Sequence, residues 1–309
     1  MQLCGHRDLK SKSFPFPASS DTIRSVTVLE VIQRTTEYLA QKGVESPRRN
    51  IEELLAHALK LPRLQLYLNF ERVLTDAELE PLRAMVKRRA QREPLQHILG
   101  SVCFCGFELA VNRDALVPRP ETELLAERAC GLLAARADGA MHVLDFGTGT
   151  GCLAITLAVR APQAQVHSVD ISAQALALAR QNAQAHHVLD RIQFHHGDGF
   201  TALPPGSQFD LIVSNPPYIP SAEIAGLQPE VRDFDPHVAL DGGADGLDFY
   251  RRLARESQAW LKPEGRLLVE FGDGQADALR LLFSEQNWIV EAIEADYAHQ
   301  PRILLARRA

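Results

Sequence analysis

Apolar positions early in the chain recur at helical spacing. Val28, Leu29, Ile32, Thr36 and Leu39 fall on one face, and Gly43 supplies a stop. Ser46-Pro47 reads as a cap followed by a first-turn proline. It opens a second helix through Ile51, Leu54, Leu55, Ala58 and Leu59, ending near Pro62. A short helix around Leu64 to Phe70 follows. Thr75-Asp76-Ala77-Glu78 is a capping-box pattern that starts another, running to about Arg92. From Pro94 to Pro120 the period changes. Phe104, Gly106, Glu108 and Ala110 alternate with Cys105, Phe107, Leu109 and Val111, and Asn112-Arg113-Asp114 stands behind them. That pattern predicts a strand and turn, a hairpin linking two domains.

From Glu121 onward, short apolar runs alternate with helical stretches. The runs His142–Phe146, Gln165–Asp170, Ile192–His196, Phe209–Ser214 and Arg266–Phe271 suit buried strands. Between them lie helical stretches at Cys152–Arg160, Ser172–Ala185, Gly246–Trp260 and Gly274–Glu285. Two late runs, Trp288–Ile293 and Arg302–Ala306, fit a closing hairpin. Such alternation predicts an α/β fold with a largely parallel, doubly wound sheet. The expected organisation is a loose or disordered extension over 1–25, a helical domain over 26–98, a hairpin linker over 99–120 and an α/β domain over 121–309. The helical domain has the size and position of a recognition module.

Composition narrows the function classes. With 309 residues, 46% hydrophobic and 23% charged, the chain is long and apolar enough for a soluble globular protein of one or two domains. A net charge of −6 argues against affinity built on nucleic-acid phosphates. One basic helix end, Arg83, Lys87, Arg88, Arg89 and Arg92, suits either the helix dipole or docking onto an acidic partner. Five cysteines, an odd count in a long chain, fit a reducing compartment better than a disulfide framework. No run approaches the ~20 apolar residues of a membrane span, and Met1 to Asp21 carries no signal-like apolar stretch, so a cytoplasmic protein is expected. Cys103 and Cys105 lack a second cysteine pair at zinc spacing; shared strand-face packing is expected, and no metal. The pairs His186-His187 and His195-His196 read as solvated or capping residues, and Trp260 and Trp288 as packing.

Candidate chemistry gathers at the strand ends. Val143 to Phe146 runs into Gly147-Thr148-Gly149-Thr150-Gly151 and then a helix. Ligands of such sheets bind there, beyond the carboxyl ends of the strands. The spacing is G-x-G-x-G, not the pyrophosphate form, so by itself it fits a nucleoside site or a plain strand–helix turn. The next strand ends at Asp170, about twenty residues after the glycines, where a carboxylate can take ribose hydroxyls or cap the following helix. The third ends in Gly197-Asp198-Gly199-Phe200. Asp198 there can accept from an adenine amine and Phe200 can pack on a ring, or the four residues form an ordinary turn.

The sharpest signal is Asn215-Pro216-Pro217-Tyr218, directly after Phe209–Ser214. Two prolines remove two backbone donors, and Pro216 drives Asn215 toward an extended conformation. Asn215 Oδ1 and the Pro216 carbonyl can then each accept one hydrogen of an –NH2 group, and Tyr218 can pack on a planar group. Positioning of this kind suits attack by an amide nitrogen on a sulfonium methyl.

Asp145 to Gly151 together with Asn215 to Tyr218 resembles the class I methyltransferases that act on planar amino nitrogens. Arg119-Pro120-Glu121-Thr122-Glu123 narrows the resemblance to the HemK/PrmC family of protein glutamine N5-methyltransferases, and within it to those acting on peptide chain release factors. The likeness runs from about residue 26 to the end. It includes Ser46-Pro47-Arg48, Glu53-Leu54-Leu55, Pro94 to Gly100, Leu240 to Gly243, Gly246-Leu247 and Pro301-Arg302. The resemblance implies a helical N-terminal domain for substrate recognition, a hairpin linker and a seven-stranded catalytic sheet. It implies S-adenosyl-L-methionine as cofactor and the glutamine of a Gly-Gly-Gln loop as methyl acceptor. Gly147, Thr148, Gly149, Thr150 and Gly151 would cradle the cofactor, Asp170 its ribose, Asp198 and Gly199 its adenine, and Asn215 to Tyr218 the glutamine amide, with the Arg119–Glu123 loop closing the site. Many members carry a large aromatic residue where this chain has Gly199, so adenine stacking is expected to be either weaker or shifted to Phe200.

Three other readings compete. A sister group methylates ribosomal protein L3; Cys105-Gly106 resembles it, but it usually lacks the Arg-Pro-Glu-Thr-Glu form. N6-adenine methyltransferases share the tetrapeptide but must neutralise phosphates and reach a flipped base, which the net charge disfavours. A nucleoside-binding protein with a dead site would not need Asn215–Tyr218 intact. The expected enzyme is therefore a monomer whose partners are release factors, without direct nucleic-acid or membrane contact.

Overall fold

Thr27 starts the first helix with a closed capping box. Its hydroxyl accepts from the Glu30 N–H at 3.3 Å, and its own N–H donates to Glu30 Oε2 at 3.0 Å. The computed structural model describes Pro15 and residues 26–135 and 139–309. Pro15 apart, the extension expected over 1–25 lies outside the described residues. The chain divides into two compact units between Leu99 and Gly100.

In the first unit, β1 (Val26–Thr27), α1 (Val28–Gln41), α2 (Pro47–Leu59), α3 (Arg63–Tyr67), β2 (Val73–Leu74), α4 (Asp76–Ala90) and α5 (Leu95–Leu99) follow in order. β1 pairs antiparallel with β2. Val31, Ile32, Leu39, Ile51, Leu54, Leu55, Leu66, Leu82 and Val86 close one core. Thr75 and Glu78 form the predicted capping box of α4. Ser46 departs from expectation. It precedes α2 in the left-handed region (φ 46) and its hydroxyl makes no cap bond. Its carbonyl instead accepts from the Asn50 N–H and from Asn50 Nδ2, both at 3.1 Å. Asn50 Oδ1 in turn accepts from Arg89 Nε at 2.7 Å, and Arg89 is buried. Arg88 pairs with Glu93 at 2.7 Å and Arg83 with Glu80 at 3.0 Å. Much of the basic helix end is therefore spent inside the unit.

The second unit opens with β3 (Ser101–Phe104) and β4 (Phe107–Ala110), a hairpin closed by Cys105 and Gly106 at φ 50 and 85. Positive φ at both loop residues is the type I′ solution that matches strand twist. The turn thus falls at Cys105-Gly106, and Asn112 forms a separate local turn with the Asp114 N–H at 2.9 Å. Cys103 is exposed on β3 while Cys105 is buried in the turn, so they share no strand face. Phe104, Cys105 and Leu109 join the core of this unit.

Next come α6 (Pro120–Ala134), β5 (Met141–Phe146), α7 (Cys152–Arg160), β6 (Ala164–Asp170), α8 (Ala173–Ala185), β7 (Ile192–His196), β8 (Phe209–Ser214), α9 (Pro229–Arg232), α10 (Asp248–Glu256), β9 (Leu261–Glu270), α11 (Ala276–Glu285), β10 (Trp288–Ala295) and β11 (Pro301–Arg308). The seven strands from β5 onward form one sheet, ordered β10-β11-β9-β8-β5-β6-β7. β9, β8, β5, β6 and β7 are parallel; β11 runs antiparallel to β9, and the edge strand β10 runs antiparallel to β11 and so in the direction of the rest. The chain winds from β5 through β6 to β7, then crosses back to β8, so the switch point lies between β5 and β8. Neighbouring residues divide between the faces: Val143, Val213 and Leu268 pack on one side, Leu144, Ile212 and Leu267 on the other. Burial on both faces is why these strands read as unbroken apolar runs.

α6 is the element the pattern did not announce. Its buried face is Thr122, Leu125, Ala126, Ala129 and Leu133, a helical spacing built partly from small residues. Three of the paired histidines are as expected, His186 being the C-cap of α8 and His187 and His196 exposed, and several of the four also tie elements together. His195 Nε2 lies 3.0 Å from His167 Nδ1, with the two rings stacked. His196 Nε2 donates to the Ile171 carbonyl at 3.1 Å, and His186 Nε2 to the Glu108 carbonyl at 2.8 Å.

Candidate active site

β5 ends in a turn that only glycine forms without strain, with φ of 81, 53 and 82 at Gly147, Gly149 and Gly151. The Gly147 and Thr148 N–H groups donate to the Val169 carbonyl at 2.9 and 3.1 Å, which ties the turn to β6. The Gly149 N–H donates to Asp170 Oδ2 at 2.8 Å, and Asp170 Oδ1 accepts from the Ser172 N–H at 2.9 Å. Ser172 Oγ caps α8 itself. Asp170 is thus held against the turn. A carboxylate offers about four lone-pair sites, so acceptor capacity remains for hydroxyl groups. Gly151 serves packing: a Cβ there would lie 3.1 Å from Ala179 Cβ. Beneath the turn, Asp145 Oδ2 accepts from Thr148 Oγ1 at 2.6 Å and from the Ala154 N–H at 3.2 Å, while Oδ1 is buried without a partner among the described residues. Burial pushes this carboxyl up to about 7.

A cavity of about 220 Å³ opens at the switch point. Gly147, Thr148, Gly149, Thr150, Asp170, Asp198, Gly199, Asn215 and Pro217 all line it. Gly151, Pro216 and Tyr218 do not. Arg119 and Thr122, from the stretch expected to close the site, line it as well, and so do residues for which no role was expected: Ala115 and Leu116 ahead of α6, and Phe249 and Arg252 on α10. The third strand end needs correction. Phe200 is buried in the core between Phe146 and Trp260, with ring centroids at 4.9 and 5.7 Å, and cannot stack on a ligand in the cavity. Asp198 is ion-paired with Arg252. A Cβ at Gly199 would lie 2.8 Å from Phe146 Cζ and 2.9 Å from Arg252 Nη2, so those two side chains fill the space beside it.

The tetrapeptide leaves β8 at the cavity wall. Ser214 Oγ donates to the Phe146 carbonyl at 2.7 Å, pinning the ends of β8 and β5 together. Asn215 Nδ2 donates to Thr122 Oγ1 at 3.0 Å. The Arg119–Glu123 stretch is not a loop: Arg119 is the N-cap and Pro120 the first residue of α6. Arg119 donates to Asp235 Oδ2 at 2.7 Å, which fixes the entry to that helix. Three glycines admit the Pro217-Tyr218 backbone and ring. A Cβ would lie 2.9 Å from the Pro217 carbonyl oxygen at Gly242, 2.3 Å from the Tyr218 carbonyl oxygen at Gly246, and 2.8 Å from Tyr218 Cδ2 at Gly272. Gln275 locks the arrangement. Its Nε2 donates to the Tyr218 carbonyl at 3.0 Å, and its Oε1 accepts from the Gly272 N–H at 2.9 Å. Burial and nearby Glu270 raise the Tyr218 hydroxyl, which stays neutral. Glu270 and Gln275 carried no signal in the sequence beyond standing at the end of a strand and just past it.

A seven-stranded sheet of this order, with a glycine turn and an acidic strand end at its switch point, defines an S-adenosylmethionine-dependent methyltransferase. Residues 30–100 match the PrmC N-terminal domain, and residues 124–226 the methyltransferase small domain. A release factor glutamine methyltransferase of Geobacter sulfurreducens is 48% identical over 85% of this chain and 90% of its own length. Its counterpart in Chlorobaculum tepidum is 46% identical over 84% and 90%. The solved structure of the hMettl16 catalytic domain in complex with MAT2A 3'UTR hairpin 6 shares the fold, with a TM-score of 0.50, 14% identity, and 73% of this chain and 81% of that one covered. The chain belongs to the release factor glutamine methyltransferase family.

Proposed function

We propose that this protein transfers a methyl group to the side-chain amide nitrogen (N5) of the glutamine in the Gly-Gly-Gln motif of peptide chain release factors. One observation carries the reading. Asn215 stands in the cavity wall with its Nδ2 committed to Thr122, which leaves Oδ1 as the acceptor on offer. S-adenosylmethionine supplies an electrophilic sulfonium methyl when bound. The Gly147–Thr150 turn gives it close backbone approach, Asp170 takes the ribose hydroxyls, and Asp198 and Gly199 lie along the adenine.

An amide nitrogen is a poor nucleophile because its lone pair is delocalised. Asn215 Oδ1, at the cavity wall, accepts one of its hydrogens, which turns the lone pair toward the methyl carbon. No N–H from Pro216 or Pro217 competes for that acceptor. The nitrogen gives up one hydrogen as a proton to solvent only after it has taken the methyl, so alignment supplies the catalysis; well-aligned groups reach effective molarities of about 10⁵ M or more. Tyr218 acts from outside the cavity lining, shaping the segment against Gly272. The first unit serves as the recognition module for the release factor, and the enzyme works as a cytoplasmic monomer.

The test is transfer of labelled methyl to unmethylated release factor, with ribosomal protein L3 and an adenine-containing duplex in parallel. Label on the release factor alone, lost when its Gly-Gly-Gln glutamine is replaced, is the expected result. Label on L3 moves the partner, and label on the duplex overturns the assignment.

A further inference from the structure

We infer that Glu270, acting through Thr122, sets which way the Asn215 side chain is turned, and so whether the site offers an acceptor or a donor to the substrate nitrogen. The inference rests on the reading of Asn215 given above. Ser214 pairs with Val269 across β8 and β9, so Asn215 and Glu270 leave adjacent strands side by side. Glu270 is 3% exposed and Thr122 2%, and Glu270 Oε2 is buried without a hydrogen-bond partner among the described residues. Asn215 follows β8 beside Glu270 at the end of β9, and α6, which carries Thr122, packs on β9, so the Thr122 and Asn215 side chains are the groups placed to hydrogen-bond this carboxyl.

The two ends of an asparagine amide have nearly the same shape, so only hydrogen bonds distinguish them. A threonine hydroxyl both donates and accepts and cannot decide the matter alone. An ionised carboxylate only accepts. With Glu270 ionised, the Thr122 hydroxyl proton points to the carboxylate and a lone pair of Oγ1 is left for Asn215 Nδ2, the bond seen at 3.0 Å. Oδ1 then faces the substrate. A protonated Glu270 donates to Thr122 instead. Thr122 can then donate to Asn215 Oδ1, which turns the –NH2 of Asn215 against the –NH2 of the substrate.

The balance lies within reach of ordinary buffers. Burial pushes the carboxyl up, the Thr122 hydrogen bond draws it down, Glu121 raises it, and Arg302 and Asn215 lower it, to about 7. The other titratable groups facing it, Tyr218, Tyr250 and Cys152, are all raised by burial and stay neutral there. The acceptor state is therefore present above about 7 and lost as pH falls through that value.

Single-turnover methyl transfer, measured against pH with saturating cofactor and release factor, tests this. The wild-type rate should fall by about tenfold per pH unit on the acid side, with S-adenosylhomocysteine affinity unchanged. Glu270→Gln should be slower by about a hundredfold above the transition and lose the pH dependence. Thr122→Val should be similarly slow, and Thr122→Ser should restore most of the rate. A flat wild-type profile overturns the inference, as does a folded Glu270→Gln with wild-type rate. If Glu270→Gln does not fold, equal rates in Thr122→Val and Thr122→Ser overturn it. An Asn215→Ala that keeps the rate removes the underlying reading instead. An inactive Asn215→Ala beside a fully active Glu270→Gln removes only the role of Glu270.

Discussion

Asn215 and Asp170 lie on the same cavity, but the roles proposed for them differ, so their variants should separate. Asp170→Ala removes an ionic acceptor, worth about 1.5–3 kcal/mol, so S-adenosylhomocysteine should bind roughly ten- to a hundredfold more weakly by calorimetry. Asn215→Ala should leave that affinity nearly intact and depress turnover sharply. The opposite order would exclude the assigned roles. Phe200 makes the contrasting case. Its ring is packed between Phe146 and Trp260, so Phe200→Leu should lower the melting temperature while cofactor affinity changes little. The Asp-Gly-Phe spacing placed an aromatic beside the expected adenine, but spacing does not say toward which side of the chain a ring turns. Packing settles that: the buried space beneath Phe146 takes the ring, and Arg252 stands at the cavity instead.

Whole elements were most legible where burial was symmetrical. The apolar run at β8 has the predicted bounds, because a strand covered on both faces needs unbroken hydrophobic sequence; β7, an edge strand buried mainly at Ile192, has its predicted bounds too. α6 escaped notice because part of its buried face is alanine and threonine, which carry little hydrophobic signal. The hairpin was legible but its turn was displaced, since alternation fixes faces and not the point of reversal. The segment after β8 shows what elements do for a site. Its prolines prevent ladder pairing, and its position depends on Gly242, Gly246, Gly272 and Gln275, which arrive from later in the chain. Gly246→Ala would put a Cβ 2.3 Å from the Tyr218 carbonyl oxygen and is strained at φ 76. Methyl transfer should fall far more than the melting temperature. A variant with wild-type transfer would show that the clamp does not matter.

At the scale of the molecule, ligand and protons both act on stability. Saturation with S-adenosylhomocysteine at a hundred times its Kd should stabilise the native state by about 2.7 kcal/mol, read as a rise in melting temperature. Asp170→Ala should require correspondingly more ligand for the same rise. The buried Asp145 carboxyl, raised from 3.8 to about 7, keeps its proton in the folded chain where the unfolded chain has lost it. Its contribution is fully present below about 4 and is lost as pH rises through about 7. Asp145→Asn carries no charge to bury, so its denaturant midpoint should gain on the wild type as pH passes through that window. A constant difference across the range would rule out this titration.

The sequence by itself determined the alternation of strands and helices, the glycine turn, the acidic strand end and the proline-bound asparagine, because each is a local demand on φ, on period or on hydrogen-bond donors. Tertiary structure decided what meets what. Thr122 lies 93 residues before Asn215 and Glu270 follows far behind, yet the crossing at the switch point puts one side chain against the other. The direction in which Asn215 presents its amide is therefore a property of the packed sheet and α6 together. It is set by hydrogen bonds between residues whose neighbourhood no local pattern records.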